Sequence, residues 1–142
     1  MISTTHLHPM LVHFPIALIL WGFIAEVASV FFKKELYLSK IGLYLLFIGT
    51  LSLFTAAISG VLFTSEMSGA AGEIKKTHEQ LAWITIGITT IASIFRIYLE
   101  TQNKDNANSK SIALALYGLA ALSVSLTGFY GGTLVYNYMM PL

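Results

Sequence analysis

Cysteine is absent from the sequence, which removes disulfide staples, thiolate metal sites and covalent attachment of a c-type haem. Charge is scarce: Asp, Glu, Lys and Arg make up 11% of the 142 residues, against about 25% in an ordinary soluble domain. The net charge of +1 offers no basic surface, so nucleic acid is not an expected partner. The alternating pattern of barrel strands is missing. So are a nucleophile–base arrangement, a phosphate loop and paired carboxylates, which leaves a hydrolase or kinase without support. No Lys or Arg precedes Pro9; a cleavable signal peptide would carry a basic leading region, so the first helix is expected to be retained.

Hydrophobic residues are plentiful, at 56%, with a mean hydropathy of +0.73. About 20 apolar residues are needed to cross the hydrocarbon of a bilayer, and four stretches qualify: 14–32, 41–63, 80–99 and 111–130. The expected fold is all-α, an integral membrane four-helix bundle running up-down-up-down, with lipid as its surroundings. One domain covers 1–142, with helices near 9–32, 40–64, 78–100 and 110–136. Proline is tolerated in a first helical turn. Either Pro15 marks the true start, with His8 to Phe14 as a short lead-in, or the helix starts at Pro9 and bends at Pro15. The segment 64–77, TSEMSGAAGEIKKT, reads as a connection, as does 100–110. The first and third connections, counted with Arg96, hold six of the eight basic residues. Cytoplasmic loops attract Lys and Arg, so both termini are expected on the periplasmic side of a bacterial inner membrane.

The four histidines, His6, His8, His13 and His78, all fall at the end of the bundle that carries the termini. Imidazole is the commonest metal ligand, and it is costly inside a membrane unless paired. His13 and His78 begin helices that run in the same direction and oppose each other diagonally across a four-helix bundle. Two such rings can hold a haem iron between them. Gly60 and Gly128 supply small residues at that depth, useful for a porphyrin or for close helix approach. His8 matches the level of His78 better than His13 does. Five residues separate His8 from His13, about 140° on a regular helix, so the two do not share a face. The plainer role, a histidine bonding a helix-end carbonyl, fits His6 in particular, near the terminus.

Glu26 and Arg96 are each the lone charge in their span. They suit a mutual ion pair, structural or linked to proton movement. They also mark a faint internal repeat. His8 and His78 open the first and third helices, the two charges follow each histidine by 18 residues, and Ser59-Gly60 and Thr127-Gly128 occupy similar places in helices two and four. A parallel repeat of this kind implies a pseudo-two-fold axis along the membrane normal. Gly131-Gly132 weakens a helix, so a turn or a close approach is expected there.

The strings HPMLVHFPIALIL near the start and GFYGGTLVY near the end resemble the hallmarks of the bacterial membrane-protein family known as domain of unknown function 2231. The resemblance covers essentially the whole chain, and His78 matches a histidine before the third helix. It implies a four-helix inner-membrane domain whose motif residues are His8, Pro9, His13, Pro15, His78, Gly131 and Gly132. It also implies association with c-type cytochrome modules and an architecture similar to small two-histidine membrane cytochromes. Many relatives carry a histidine shortly after the LVY string, where this chain has Tyr138. The leading expectation is a membrane protein binding haem b through His78 with His13 or His8, and transferring electrons alone or beside respiratory-complex subunits. Two alternatives stand: a permease for copper, zinc or a small solute, with the same histidines as metal ligands, and a non-catalytic subunit of a larger complex. A homodimer is compatible with the glycine-rich faces.

Overall fold

A computed structural model describes residues 7–103 and 106–138; His6 lies outside them. The described chain forms helices α1 (Leu7–Leu11), α2 (His13–Phe31), α3 (Tyr37–Phe63), α4 (Gly69–Thr101) and α5 (Ala107–Tyr138). Apart from a break at Val12, α1 and α2 form one apolar rod, and that rod and the three other helices are each long and apolar enough to cross a membrane. With 27 residues, α3 is about 40 Å long at 1.5 Å per residue, which exceeds the roughly 30 Å hydrocarbon core.

The break has a local cause. Pro15 lacks an N–H, and its ring crowds the carbonyl four residues back, which is that of Leu11, the last residue of α1. Val12 leaves the helix assignment but keeps helical angles, φ −65° and ψ −21°. The rod therefore continues past Val12, whose N–H still bonds the His8 carbonyl at 3.1 Å, and Pro9 sits harmlessly in its first turn. The third helix is longer than the sequence suggested. Its expected start near 78 moves to Gly69, because AAGEIKK contains mostly good helix formers despite its polarity. Gly69 enters with φ +63°, a left-handed conformation that glycine adopts without a Cβ penalty. The connection then shrinks to 64–68. In the last helix, Gly131-Gly132 makes no turn: α5 runs through to Tyr138.

The helices close into a square. α2 packs chiefly on α3 and α4 chiefly on α5. The two hairpins then meet through α2–α5 and α3–α4, with α1 laid against α3. This places α2 and α4 diagonally, as expected for an up-down bundle. The outside is apolar: Trp21, Phe31, Val61, Trp83, Leu122 and Phe129 are all exposed. Ile19, Leu46, Tyr117, Ala120 and Val124 form the centre. Hydroxyl and charged residues are buried around them, among them Thr50, Thr85, Thr89, Glu26 and Arg96. An apolar exterior around a partly polar interior suits a lipid solvent, in which buried polar groups must satisfy one another.

Candidate functional site

At the end of the bundle that carries the termini, α1 and α4 each present one histidine to the interior. The His8 and His78 ring centroids are 6.5 Å apart, with an interplanar angle of 77°. Each ring is held in the same way. His78 Nδ1 donates to the Thr127 carbonyl at 3.0 Å. His8 Nδ1 donates to the Ala56 carbonyl at 3.1 Å and to Ser59 Oγ at 2.9 Å, while Ser59 Oγ donates to that same carbonyl at 2.7 Å. A carbonyl only accepts, so the proton of each neutral ring lies on Nδ1 and the lone pair on Nε2.

A glycine four residues past each accepting carbonyl makes these bonds accessible. A Cβ at Gly60 would come within 3.0 Å of His8 Cε1, and one at Gly131 within 3.0 Å of His78 Cε1. The residue at i+4 lies directly over the carbonyl of residue i along a helix. A side chain there would crowd the imidazole and push it back from the carbonyl. The two seats are related by the internal repeat: His78 follows His8 by 70 residues, and Thr127 and Gly131 follow Ala56 and Gly60 by 71.

The remaining sequence candidates separate cleanly. His13 is exposed, and its Nδ1 lies 2.6 Å from the Pro9 carbonyl one turn back. It is not brought to the His8–His78 pair, as the 140° offset from His8 requires. Gly60 is at the site. Gly128 is not: a Cβ there would face Ile16 Cδ1 at 3.0 Å, and Gly131 takes the place that the sequence comparison gave it. Tyr138, part-exposed at the end of α5, adds no imidazole. The accepting carbonyls were not legible in the sequence, since every residue has a carbonyl; Ser59 was marked by the repeat, though not as a partner of His8. The glycine at i+4 was the available signal. Just outside the pair, the buried Lys75 lies 3.6 Å from Glu66 and 3.5 Å from Glu79, which places charge over this end of the bundle.

At the opposite end the second constellation is assembled. Arg96 on α4 reaches Glu26 on α2 at 3.4 Å and Glu100 at 3.9 Å, and it donates to Ser39 Oγ on α3. Ser39 in turn faces both Glu26 carboxylate oxygens at 3.4 Å. Tyr117 of α5 lies over Gly22 and donates to the Gly42 carbonyl at 3.0 Å. A Cβ at Gly42 would approach Glu26 Oε2 to 2.6 Å, so this close crossing of α2 and α3 depends on glycine. The pair is buried and serves at least as a clasp joining α2, α3 and α4.

The donor set bears on what the histidines can hold. Among the described residues, no three His, Cys, Asp or Glu side chains converge. Structural zinc asks for four protein ligands and catalytic zinc for three, which this end does not offer. A haem iron can be held by two histidines, and two imidazoles meet here, each with Nδ1 engaged by a main-chain carbonyl. Two metal–nitrogen bonds of about 2.0–2.1 Å plus the two ring radii would put imidazole centroids about 6 Å apart, close to the spacing seen.

Comparison with known proteins gives a family and nothing finer. Residues 4–141 match the family described as predicted membrane protein (DUF2231). No curated protein and no solved structure matches the chain.

Proposed function

Since the chain belongs to the DUF2231 family of predicted membrane proteins, whose description assigns no chemistry, we propose from the geometry that it is a haem b protein of the electron-transfer class. His8 and His78 would hold its iron, and bacterial inner membrane would be the location. The observation that carries this reading is the matched pair of seats. Both imidazoles donate Nδ1–H to a main-chain carbonyl and keep Nε2 unprotonated, 6.5 Å apart between centroids. Metal-bound histidines nearly always donate their other N–H in this manner, which fixes the tautomer and the ring orientation.

When bound, haem supplies a one-electron couple tuned by its axial ligands and by burial. The protein's own part is orientation. Thr127 and Ala56 hold the rings through their carbonyls, Ser59 adds a second acceptor to His8, and Gly60 and Gly131 leave space for the rings. His13 lies on the exposed side of the rod, so His8 would be the ligand from the first rod. Acid works against binding, because a proton on Nε2 takes the lone pair the metal needs. The orientation expected from the basic residues, with the histidine end periplasmic, would set this centre where c-type cytochromes or respiratory subunits could exchange electrons with it.

The test is a reduced-minus-oxidised spectrum of detergent-purified protein from haem-replete cells. A b-type band that vanishes in His8→Ala and in His78→Ala, and survives in His13→Ala, is expected. Colourless protein retaining one copper per chain would replace haem with a two-coordinate copper site. Colourless, metal-free protein would leave the histidines as helix fasteners and end the proposal. Orientation is read separately: the natural chain has no cysteine, so Glu66→Cys and Asn103→Cys report the two ends to a membrane-impermeant thiol reagent. Labelling of Asn103→Cys from the periplasm would reverse the topology.

A further inference from the structure

The connection between α2 and α3, at the Glu26–Arg96 end of the bundle, is at once charged and apolar. All of residues 31–37 are exposed, and Phe31, Phe32, Leu36 and Tyr37 among them have more than half of their surface open. Lys33 and Lys34 lie between these side chains, and Lys40 follows, also exposed, in the first turn of α3. The backbone of the turn is well bonded. Phe32 N–H donates to the Ala28 carbonyl at 2.8 Å, Glu35 N–H to the Phe32 carbonyl at 2.9 Å, and Leu38 N–H to the Glu35 carbonyl at 3.0 Å. Among the described residues none of the three lysines has an ion pair. Glu35 is the single acid in the stretch 33–40, so three lysines less one glutamate leave a net charge of +2. The buried cations are treated differently: Arg96 is taken up by Glu26 and Glu100, and Lys75 by Glu66 and Glu79.

We propose that this turn is a binding surface for the headgroup of an anionic phospholipid in the leaflet that faces it. Phe31, Phe32 and Leu36 lose free energy if the turn projects into water. They rest in lipid if it lies at the boundary between hydrocarbon and headgroups, the level at which aromatic side chains such as Tyr37 collect. That depth sets the ammonium groups of Lys33, Lys34 and Lys40, on their long flexible stems, level with the phosphates. Each ammonium carries three donors and no acceptor, and a phosphate oxygen is a strong charge-assisted partner for it. A zwitterionic headgroup brings a positive charge of its own, which the lysines repel; a phosphatidylglycerol headgroup brings only the negative one. The surface therefore selects by headgroup charge. Each basic residue at a membrane surface strengthens attachment to anionic lipid about fivefold. An orientation signal needs only lysines in the loop. Unpaired lysines set beside exposed aromatic and aliphatic side chains on an ordered turn also match the two halves of a lipid. The surface lies at the opposite end of the bundle from His8 and His78, so it stands whatever the imidazoles hold.

The experiment uses the full chain in a neutral detergent at low salt, titrated with dioleoyl phosphatidylglycerol or dioleoyl phosphatidylcholine, with bound lipid counted by native mass spectrometry. Phosphatidylglycerol is expected to bind about twentyfold more tightly, as two net charges at about fivefold each imply. Lys33→Gln, Lys34→Gln and Lys40→Gln should each lower that preference about fivefold, and the three together should abolish it. Replacing all three by arginine should keep it. Lys76→Gln, which removes an exposed lysine at the other end of the bundle, should leave it unchanged. Helical circular dichroism confirms that each variant is folded. Equal binding of the two lipids overturns the proposal, as does a folded triple glutamine variant that keeps the preference. Loss of the preference in Lys76→Gln would make it an effect of net charge and not of this turn, and would also overturn it. Bound phosphatidylglycerol should persist in millimolar inorganic phosphate; its displacement would assign the lysines to a free anion instead of a lipid.

Discussion

Gly131 and Gly132 are neighbours in one helix, yet they should respond oppositely to alanine. In a helix interior, alanine is favoured over glycine by about 0.8–1.0 kcal/mol. At Gly132 a Cβ meets nothing within 4 Å, so Gly132→Ala should show that gain undiluted. At Gly131 the Cβ would lie 3.0 Å from His78 Cε1 and 3.4 Å from its Nδ1. The ring must retreat by a few tenths of an ångström, which stretches its 3.0 Å bond to the Thr127 carbonyl. Losing that bond costs about 0.5–1.5 kcal/mol, enough to cancel the helix gain. Gly131→Ala should therefore melt about 3 °C below Gly132→Ala, taking the usual 2–4 °C per kcal/mol for a chain of this size. The assay pairs detergent melting curves with the His78 Nδ1–H resonance in 15N-labelled protein. The signal should shift or vanish in Gly131→Ala and persist in Gly132→Ala. Equal melting temperatures together with an unmoved resonance would refute the argument that glycine makes the imidazole seat.

Three further outcomes follow from the same geometry. Glu26→Gln should cost about 3 kcal/mol, because it leaves the buried Arg96 only the more distant and more exposed Glu100 as a countercharge, whereas Glu26→Gln with Arg96→Met should recover most of the loss; denaturant melts of the single and double variants decide it. Tyr117→Phe removes the hydroxyl that bonds the Gly42 carbonyl and should lower stability by about 0.5–1.5 kcal/mol without changing any spectrum from the histidine end. Thr85→Val breaks the contacts from α4 to Ser123 and Thr127; interhelical bonds in membranes average about 0.6 kcal/mol, so a fall of roughly 1 kcal/mol in a thermal melt is expected, and no change would mean that α5 holds α4 without them.

The membrane character and the four helices were legible because they depend only on runs of apolar residues long enough for a bilayer, a property of local composition. Chain order then placed His8 and His78 at one end of the bundle and Glu26 and Arg96 at the other, since alternate helices run in alternate directions. Helix periodicity also separated His8 from His13. Helix starts were less legible. Gly69 begins α4 well before its apolar run because helix propensity and hydropathy are different properties, and the stretch before His78 has the first without the second.

Which imidazoles meet was decided only in three dimensions. Sequence spacing left His8 and His13 both open, and the choice fell to the packing of α1 on α3 and to two carbonyls left open by Gly60 and Gly131. A carbonyl carries no letter in the sequence, and its availability depends on which side chain lies four residues on and which helix passes in front. The same holds for the buried hydroxyls: Thr85 in an apolar span reads as tolerated polarity until packing sets it against Ser123 and Thr127. The residues by themselves determined that this chain lives in lipid and how its helices alternate, because solvent and chain length set those terms. The packing of one helix face on another determined which side chains share a site, because angular position around a helix axis acquires meaning only when a neighbour is present.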